Sequence, residues 1–112
     1  YSWFPSVVYN PQLDLYIMAV SATGYDGNEP WQGPMAKLSL LYSATPYGPW
    51  SEFYSDDWSF DAEGSHYYQP KLSCKFVENS GRDMYLLYSA TANDDWIGPL
   101  YKINQIKMTL EL

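Results

Sequence analysis

Hydrophobic and polar positions alternate along much of this chain with a period of two, which is typical of strands with one buried face. Residues 37–43 place Leu38, Leu40 and Tyr42 on one face and Lys, Ser and Leu on the other, and residues 106–112 alternate in the same way. Further strands are predicted at residues 6–9, 15–21, 50–54, 67–76 and 84–89, each rich in β-branched or aromatic residues. No segment has a helical period, so the pattern predicts an all-β fold.

The strand pattern is written twice. Ser21-Ala22-Thr23 precedes Trp31-Gln32-Gly33-Pro34, and Ser89-Ala90-Thr91 precedes Trp96-Ile97-Gly98-Pro99, which places the second tryptophan 65 residues after the first (31 to 96). An internal repeat is typical of a fold built from copies of one structural unit. It predicts two successive four-stranded antiparallel units, and the second unit could also have three strands. Residues 1–54 form the first unit, 55–66 a linking loop and 67–112 the second unit.

A repeated four-stranded meander of this size is the unit of a β-propeller, in which each unit is one blade. Two blades cannot close a ring, so residues 1–112 are predicted to be a single, partial propeller domain. The alternative is a single eight-stranded sandwich built by duplication.

Three segments resemble the glycoside-hydrolase-type five-bladed propellers, the fold of arabinanases, β-xylosidases and invertases. They are residues 4–18, beginning Phe4-Pro5-Ser6; residues 40–51, ending Gly48-Pro49-Trp50-Ser51; and residues 68–89, beginning Tyr68-Gln69-Pro70. The resemblance implies the last two blades of a secreted propeller that hydrolyses or binds plant or microbial polysaccharide, with much of the catalytic set outside these residues. A non-catalytic propeller that binds sugar or protein is the second hypothesis, and a duplicate that assembles with itself is the third.

Composition narrows the class of partner. The chain is 19% aromatic and carries a net charge of −7, so it lacks the basic surface that nucleic acid or an anionic membrane requires. The expected partners are carbohydrate and either the remaining blades or further copies of the chain. The single cysteine, Cys74, excludes an internal disulfide and is expected to be a small buried strand residue.

Blade topology sorts the loops into two ends. Loops after second strands and between blades share one end, and these loops, residues 24–31, 55–66 and 93–96, hold most of the acidic residues. We expect a ligand to bind there. The candidate substrate-binding residues are Asp26, Glu29, His66, Asp94 and Asp95 in the loops, and Trp3, Phe4, Tyr67, Tyr68 and Gln69 at the starts of the innermost strands.

Glu63 is the candidate catalytic residue, because Glu63-Gly64-Ser65-His66 resembles the Glu-Gly-Pro-His stretch that carries the general acid in some of these hydrolases. Ser65 stands in place of that proline, and the alternative role for Glu63 is a solvated loop carboxylate. His66 either contacts a sugar or an ion, or bonds a neighbouring acid.

No cofactor is assigned with certainty. Ca²⁺ is the ion that Asp56-Asp57 and Asn93-Asp94-Asp95 would suit, although solvated turns are the favoured reading, so no metal ligand is predicted. Trp31 and Trp96 could stack on a sugar, but their place in both copies favours packing between strands.

Overall fold

A computed structural model describes residues 2–23, 36–57, 66–91 and 102–112 of the chain. In these ranges the protein is all-β, as predicted, and forms two antiparallel sheets of four and three strands. The first sheet contains β1 (Ser2–Asn10), β2 (Leu15–Thr23), β3 (Ala36–Ser43) and β4 (Ser51–Asp57). The second contains β5 (His66–Leu72), β6 (Asp83–Thr91) and β7 (Lys102–Thr109).

Both sheets are simple meanders, in which each strand pairs with the next along the chain. The one helical element in the described ranges is a short 3-10 turn, Asn79–Gly81, between β5 and β6. No helix in those ranges is long and apolar enough to cross a membrane. The strands therefore pair locally, as their turn signals predict.

The two sheets repeat each other in register. Lys37 of β3 pairs with Ala22 of β2, and Lys102 of β7 pairs with Ala90 of β6. Equivalent residues of β3 and β7 thus lie 65 apart (37 to 102), and those of β2 and β6 lie 68 apart (22 to 90). Equivalent residues of β1 and β5 are also 65 apart (3 to 68), so the second copy has three more residues between its first two strands and three fewer between its second and third. The internal repeat read from the sequence is also a repeat of strand pairing.

The core lies between the sheets. It is a cluster of buried side chains from both: Ile17, Ala19, Leu38 and Leu40 from the first sheet, and Leu72, Met84, Leu86, Tyr88 and Leu110 from the second sheet and the residues after it. Leu38, Leu40 and Tyr42 share the predicted face of β3, with Leu38 and Leu40 buried and Tyr42 packed against the cluster. Alternation within each strand therefore decides which residues can enter the core.

The sheets meet through faces that are not equivalent. Ile17 of β2 is buried in the core, whereas its equivalent in β6 is Tyr85, on the face turned away from the core. The core-facing Met84 and Leu86 correspond to Tyr16 and Met18, which lie on the outer face of the first sheet. The second unit is thus stacked on the first head to tail.

In the described residues, Ser6 and Asn10 of β1 form hydrogen bonds to the second unit, and Asn10 also contacts the Met84 sulfur at 3.5 Å. The Ser6 hydroxyl accepts a bond from the Leu72 amide at 3.0 Å. The fully buried Asn10 donates its Nδ2 to the Gly81 carbonyl at 2.7 Å, and its Oδ1 accepts the Leu13 amide at 3.3 Å. Asn10 therefore ties the end of β1 to the connection between β5 and β6, and it satisfies polar groups that the packing buries.

Several predictions need correction. The second unit has three strands in the described residues, which is the shorter of the two alternatives that the sequence left open. β4 continues to Asp57 and β5 begins at His66, so residues 55–57 and His66 belong to strands and not to the predicted linking loop. β5 ends at Leu72, which leaves Cys74 exposed in the connection that follows and not buried in a strand.

Candidate ligand-binding end of the two sheets

The strands β1 and β5 begin at the same end of the molecule. The bonds Ser6–Leu72 and Asn10–Gly81 align the two strands side by side in one direction. The connections of residues 24–35, 58–65 and 92–101 are attached to strand ends at this side, which we call the starting end. The opposite end carries the tight turn of residues 11–14, the turn of residues 44–50 and the 3-10 turn.

A β-bulge marks the starting end of each sheet at the same place. Trp3 pairs with Ser21 and Ser6 with Ala19, and between these pairs β1 has one more residue than β2. The equivalent bulge in β5 falls between Tyr68 and Lys71. Both bulges contain a proline, Pro5 and Pro70, which has no N–H to donate to the ladder. The sequence match of Phe4-Pro5 with Gln69-Pro70 is therefore also a structural match.

Gln69 is held in an unusual backbone conformation within the second bulge. Its φ is +56°, in the left-handed region that non-glycine residues rarely adopt, while its side chain is exposed and the next residue, Pro70, is buried. Bulges often re-aim a side chain beside a functional site, and strained backbone is retained where the surroundings enforce it. Gln69 is thus presented to solvent at the starting end by a constrained backbone.

Six predicted ligand-binding residues lie in the first residues of the two strands that begin at this end. They are Trp3 and Phe4 in β1, and His66, Tyr67, Tyr68 and Gln69 in β5. Their strands are neighbours, so the structure brings the six backbones together. Side-chain placement is described for Gln69 among them. The backbone of His66 pairs with that of Thr91, the last residue of β6.

The remaining predicted residues lie outside the described ranges. These are the candidate acid Glu63 and the loop residues Asp26, Glu29, Asp94 and Asp95, together with Trp31 and Trp96. Among the residues that are described, no group of three or more His, Cys, Asp or Glu side chains could hold a metal ion.

At the opposite end, the carboxylate of Asp83 has a shifted pKa and an ion-pair partner. Asp83, 9% exposed, accepts a bond from the Thr109 hydroxyl at 2.9 Å and lies 3.5 Å from Lys107. The Thr109 bond, reinforced by the charge of Lys107, lowers the pKa of Asp83. The same ion pair raises the pKa of Lys107, which also lies 3.8 Å from Glu78. A carboxyl held ionised in this way cannot serve as a proton donor near neutral pH.

Sequence reasoning missed this cluster. Asp83 and Thr109 are Cα partners across β6 and β7, separated by 26 residues in the chain. The charge pattern alone carries no sign of the pairing, because the register of β7 on β6 brings the two together. The signal that could have found it is the alternation of residues 106–112 once the register is known.

Comparison with known proteins finds no matching family model, no matching curated protein and no matching solved structure.

Proposed function

We propose that this chain is a two-blade part of a carbohydrate-active β-propeller of glycoside-hydrolase type, which binds polysaccharide at the starting end. The observation that carries the proposal is the head-to-tail stacking of two sheets with matching registers and matching bulges. In the proposed enzyme, carboxylates from further blades join those of this chain to hydrolyse a glycosidic bond.

Head-to-tail stacking favours blades over a duplicated sandwich. If the two copies faced each other across a two-fold axis, the same face of each would form the interface. Here Ile17 of the first sheet lies in the same core as Met84 and Leu86 of the second. Ile17 is not equivalent to either of them, so the two sheets contribute opposite faces to the interface. A head-to-tail contact repeats in one direction and closes only as a ring, which is the construction of a propeller.

Apolar residues that the described part of the chain leaves exposed on the outer face of the first sheet support further blades as partners. This face corresponds to the core-facing side of the second sheet, and it exposes Val7 (45%) and Tyr9 (44%) beside the half-buried Tyr16 and Met18. Apolar positions of this kind are typical of a surface that another unit covers. Further blades, from the same polypeptide or from other copies, would cover it in the proposed ring.

Carbohydrate is the proposed ligand because aromatic strand starts lie at the starting end, and the acidic segments of the sequence adjoin strand ends there. Trp3, Phe4, Tyr67 and Tyr68 supply flat rings of the kind that stack on sugars, and the exposed Gln69 offers amide donors and acceptors. Secretion is proposed on the same grounds, since polysaccharide substrates are extracellular. Ca²⁺ stays the candidate ion of this proposal, without assigned ligands.

For hydrolysis, Glu63 is proposed as the general acid and His66 as a residue that contacts sugar beside it. A second candidate function is binding without hydrolysis. It is favoured by the exposed Gln69 at the starting end, whose amide can bind a sugar but cannot act as an acid or a base.

Binding is tested by titrating the chain with a panel of soluble oligosaccharides and following its amide NMR signals. We expect shifts at the starts of β1 and β5 with dissociation constants of about 10 μM to 1 mM. Gln69→Ala should weaken binding about three- to tenfold, as expected when a hydrogen bond to a ligand is lost. Gln105→Ala is the matched control, because Gln105 is an exposed glutamine of β7. Absence of binding by the whole panel would refute the carbohydrate proposal.

Hydrolysis is tested with aryl glycosides and polysaccharides on protein that includes any neighbouring blades, with Glu63→Gln beside wild type. Loss of turnover in Glu63→Gln with binding retained supports the acid role. Turnover that is unchanged removes Glu63 from the mechanism, and binding without turnover in the wild type selects the second candidate.

A further inference from the structure

Each sheet has one face in the core and one outer face, and the internal repeat makes these four faces equivalent in pairs. The outer face of the first sheet is equivalent to the core face of the second, because Met84 holds the place of Tyr16 (16 to 84). The outer face of the second sheet is equivalent to the core face of the first, because Tyr85 holds the place of Ile17 (17 to 85). The contact within one molecule can therefore be repeated between two molecules.

The first outer face carries apolar side chains at positions that are buried in the second sheet. Its apolar members are Val7, Tyr9, Tyr16, Met18 and Leu41. Val7 is 45% exposed, whereas Leu72, its equivalent in β5 (7 to 72), is 7% exposed and belongs to the core. The rings of Tyr9 and Tyr16 lie 5.1 Å apart and extend the apolar surface towards the end of β1. This face thus has the chemistry of a face that a second sheet covers.

The second outer face shows the same relation to the core of the first sheet. Its strand members are Lys71, Tyr85, Leu87, Ile103, Gln105 and Lys107. Ile103 is 77% exposed, whereas Leu38, its equivalent in β3 (38 to 103), is 2% exposed. The ring of Phe76, 58% exposed, lies 6.2 Å from that of Tyr85 and enlarges the apolar area. An isoleucine exposed to this extent is costly unless another surface covers it.

Polar replacements on the second outer face include two in its outer strand. Gln105 and Lys107 stand where the first sheet has Leu40 and Tyr42 (40 to 105, 42 to 107). Lys107 lies 3.5 Å from Asp83, so its charge is compensated within its own sheet. Contacts between proteins commonly have an apolar centre and a polar rim. Tyr85, Leu87 and Ile103 would form that centre, with β7 residues towards the rim.

From this equivalence we propose that the first outer face of one copy of the chain binds the second outer face of another copy. Each such contact repeats the one between the two sheets of a single copy. Because a head-to-tail contact leaves one face uncovered at each end until the ring closes, the copies form a closed ring. Propellers have about four to eight blades, which corresponds to about two to four copies. The inference rests on the blade arrangement of the proposed function and does not depend on carbohydrate binding.

The mass of the 112-residue chain in solution is the first test, by light scattering and native mass spectrometry. At a chain concentration of about 100 μM, we expect one species of two, three or four times 12.9 kDa. Its mass should not grow as the concentration rises further. A monomer, or polymers that lengthen with concentration, would overturn the ring. A monomer that binds oligosaccharide would do so while leaving the proposed function intact, and a ring that binds none would do the reverse.

Lysine substitutions test whether the assembly uses these two faces. Val7→Lys alters the first outer face and Ile103→Lys the second, at side chains that are exposed within one copy, so both variants should fold. A lysine buried in the contact without a partner is costly, so each variant alone should be a monomer, with a dissociation constant raised at least about tenfold. Tyr47→Lys is the matched control and should assemble as wild type does, because Tyr47 is 85% exposed in the turn of residues 44–50.

Mixing the two lysine variants distinguishes head-to-tail association from a symmetric dimer. Val7→Lys keeps an intact second outer face and Ile103→Lys keeps an intact first outer face. An equimolar mixture should therefore give a dimer with one copy of each variant, which can neither extend nor close. If either variant alone assembles as wild type does, or if the mixture stays monomeric, the inference is wrong. Val7→Ala and Ile103→Ala, which introduce no charge, should each raise the dissociation constant about three- to tenfold, and unchanged assembly in both would also contradict it.

Discussion

Asn10 is predicted to be a main tie between the two sheets, and Asn10→Ala tests that role. The substitution removes the Nδ2 donor to the Gly81 carbonyl at 2.7 Å and the Oδ1 acceptor of the Leu13 amide at 3.3 Å. Asn10 is fully buried and Gly81 is buried, so water cannot readily replace the donor to the carbonyl. Leu13 is partly buried, and its amide can recover some hydration.

The expected loss follows from these two bonds. A buried carbonyl left without a partner costs about 1–3 kcal/mol, and we expect about 2 kcal/mol in total for Asn10→Ala. For a chain of 112 residues, the unfolding entropy makes 1 kcal/mol equivalent to about 4 °C, so Tm should fall by about 8 °C. The chevron or urea m-value should be unchanged if both proteins unfold from the same packed state.

Urea unfolding followed by tryptophan fluorescence measures the free energy of unfolding of Asn10→Ala. Gln12→Ala is the control, because Gln12 is an exposed residue of the same turn. If the free energy of unfolding of Asn10→Ala is within about 0.5 kcal/mol of that of Gln12→Ala, the Asn10 hydrogen bonds do not contribute substantially to holding the sheets together.

A second variant, Asn10→Asp, keeps the acceptor and loses the donor. Its buried carboxyl faces a carbonyl oxygen, so its folded pKa should lie above the unfolded value of about 3.9. The deficit relative to wild type should therefore shrink as pH falls through the folded pKa, because the protonated carboxyl can donate to Gly81. A deficit that does not depend on pH would contradict this geometry.

Three further predictions concern other sites. Because the pKa of Asp83 is lowered in the folded protein, Asp83 stabilises the fold above its unfolded pKa, and this stability is lost as pH falls through the folded pKa. Thr109→Val should therefore reduce the difference between the urea midpoints measured at pH 7 and at acid pH. An equal difference in the variant and the wild type would contradict the Thr109–Asp83 bond. Gln69→Gly should raise the free energy of unfolding by up to about 1 kcal/mol, because glycine adopts a positive φ without strain; a loss of stability, with Gln105→Gly as control, would argue against a strained bulge. Cys74 should react with a maleimide in native buffer nearly as fast as in urea, since it is exposed, and slow labelling that requires unfolding would restore the buried placement.

The strands and their repeat could be predicted from the sequence because they depend on local patterns. The alternation of Leu38, Leu40 and Tyr42 needs only the two-residue period of a strand. The bulges could be anticipated at Pro5 and Pro70, which cannot donate to a ladder. The start of β5 at His66 and the length of β4 were misjudged, because Asp56 and Asp57 are weak strand formers and their pairing with Leu38 and Lys37 overrides that preference.

The starting end could be located from the sequence because meander topology orders the loops without reference to side-chain packing. The environment of Asp83 could not, because it depends on which residue of β7 lies opposite it. Cys74 was misplaced for a related reason. Its surrounding residues resemble a strand, but β5 ends two residues earlier, where Leu72 closes the core and the chain turns towards the 3-10 element.

The sequence alone was enough to predict that the chain is all-β and that its units repeat. Each of these follows from spacing along the chain. Tertiary structure decided that the two sheets stack head to tail, so that Ile17 is buried and its equivalent Tyr85 faces outward. Both faces of these strands carry apolar residues, and only the position of the neighbouring sheet selects the face that is removed from water.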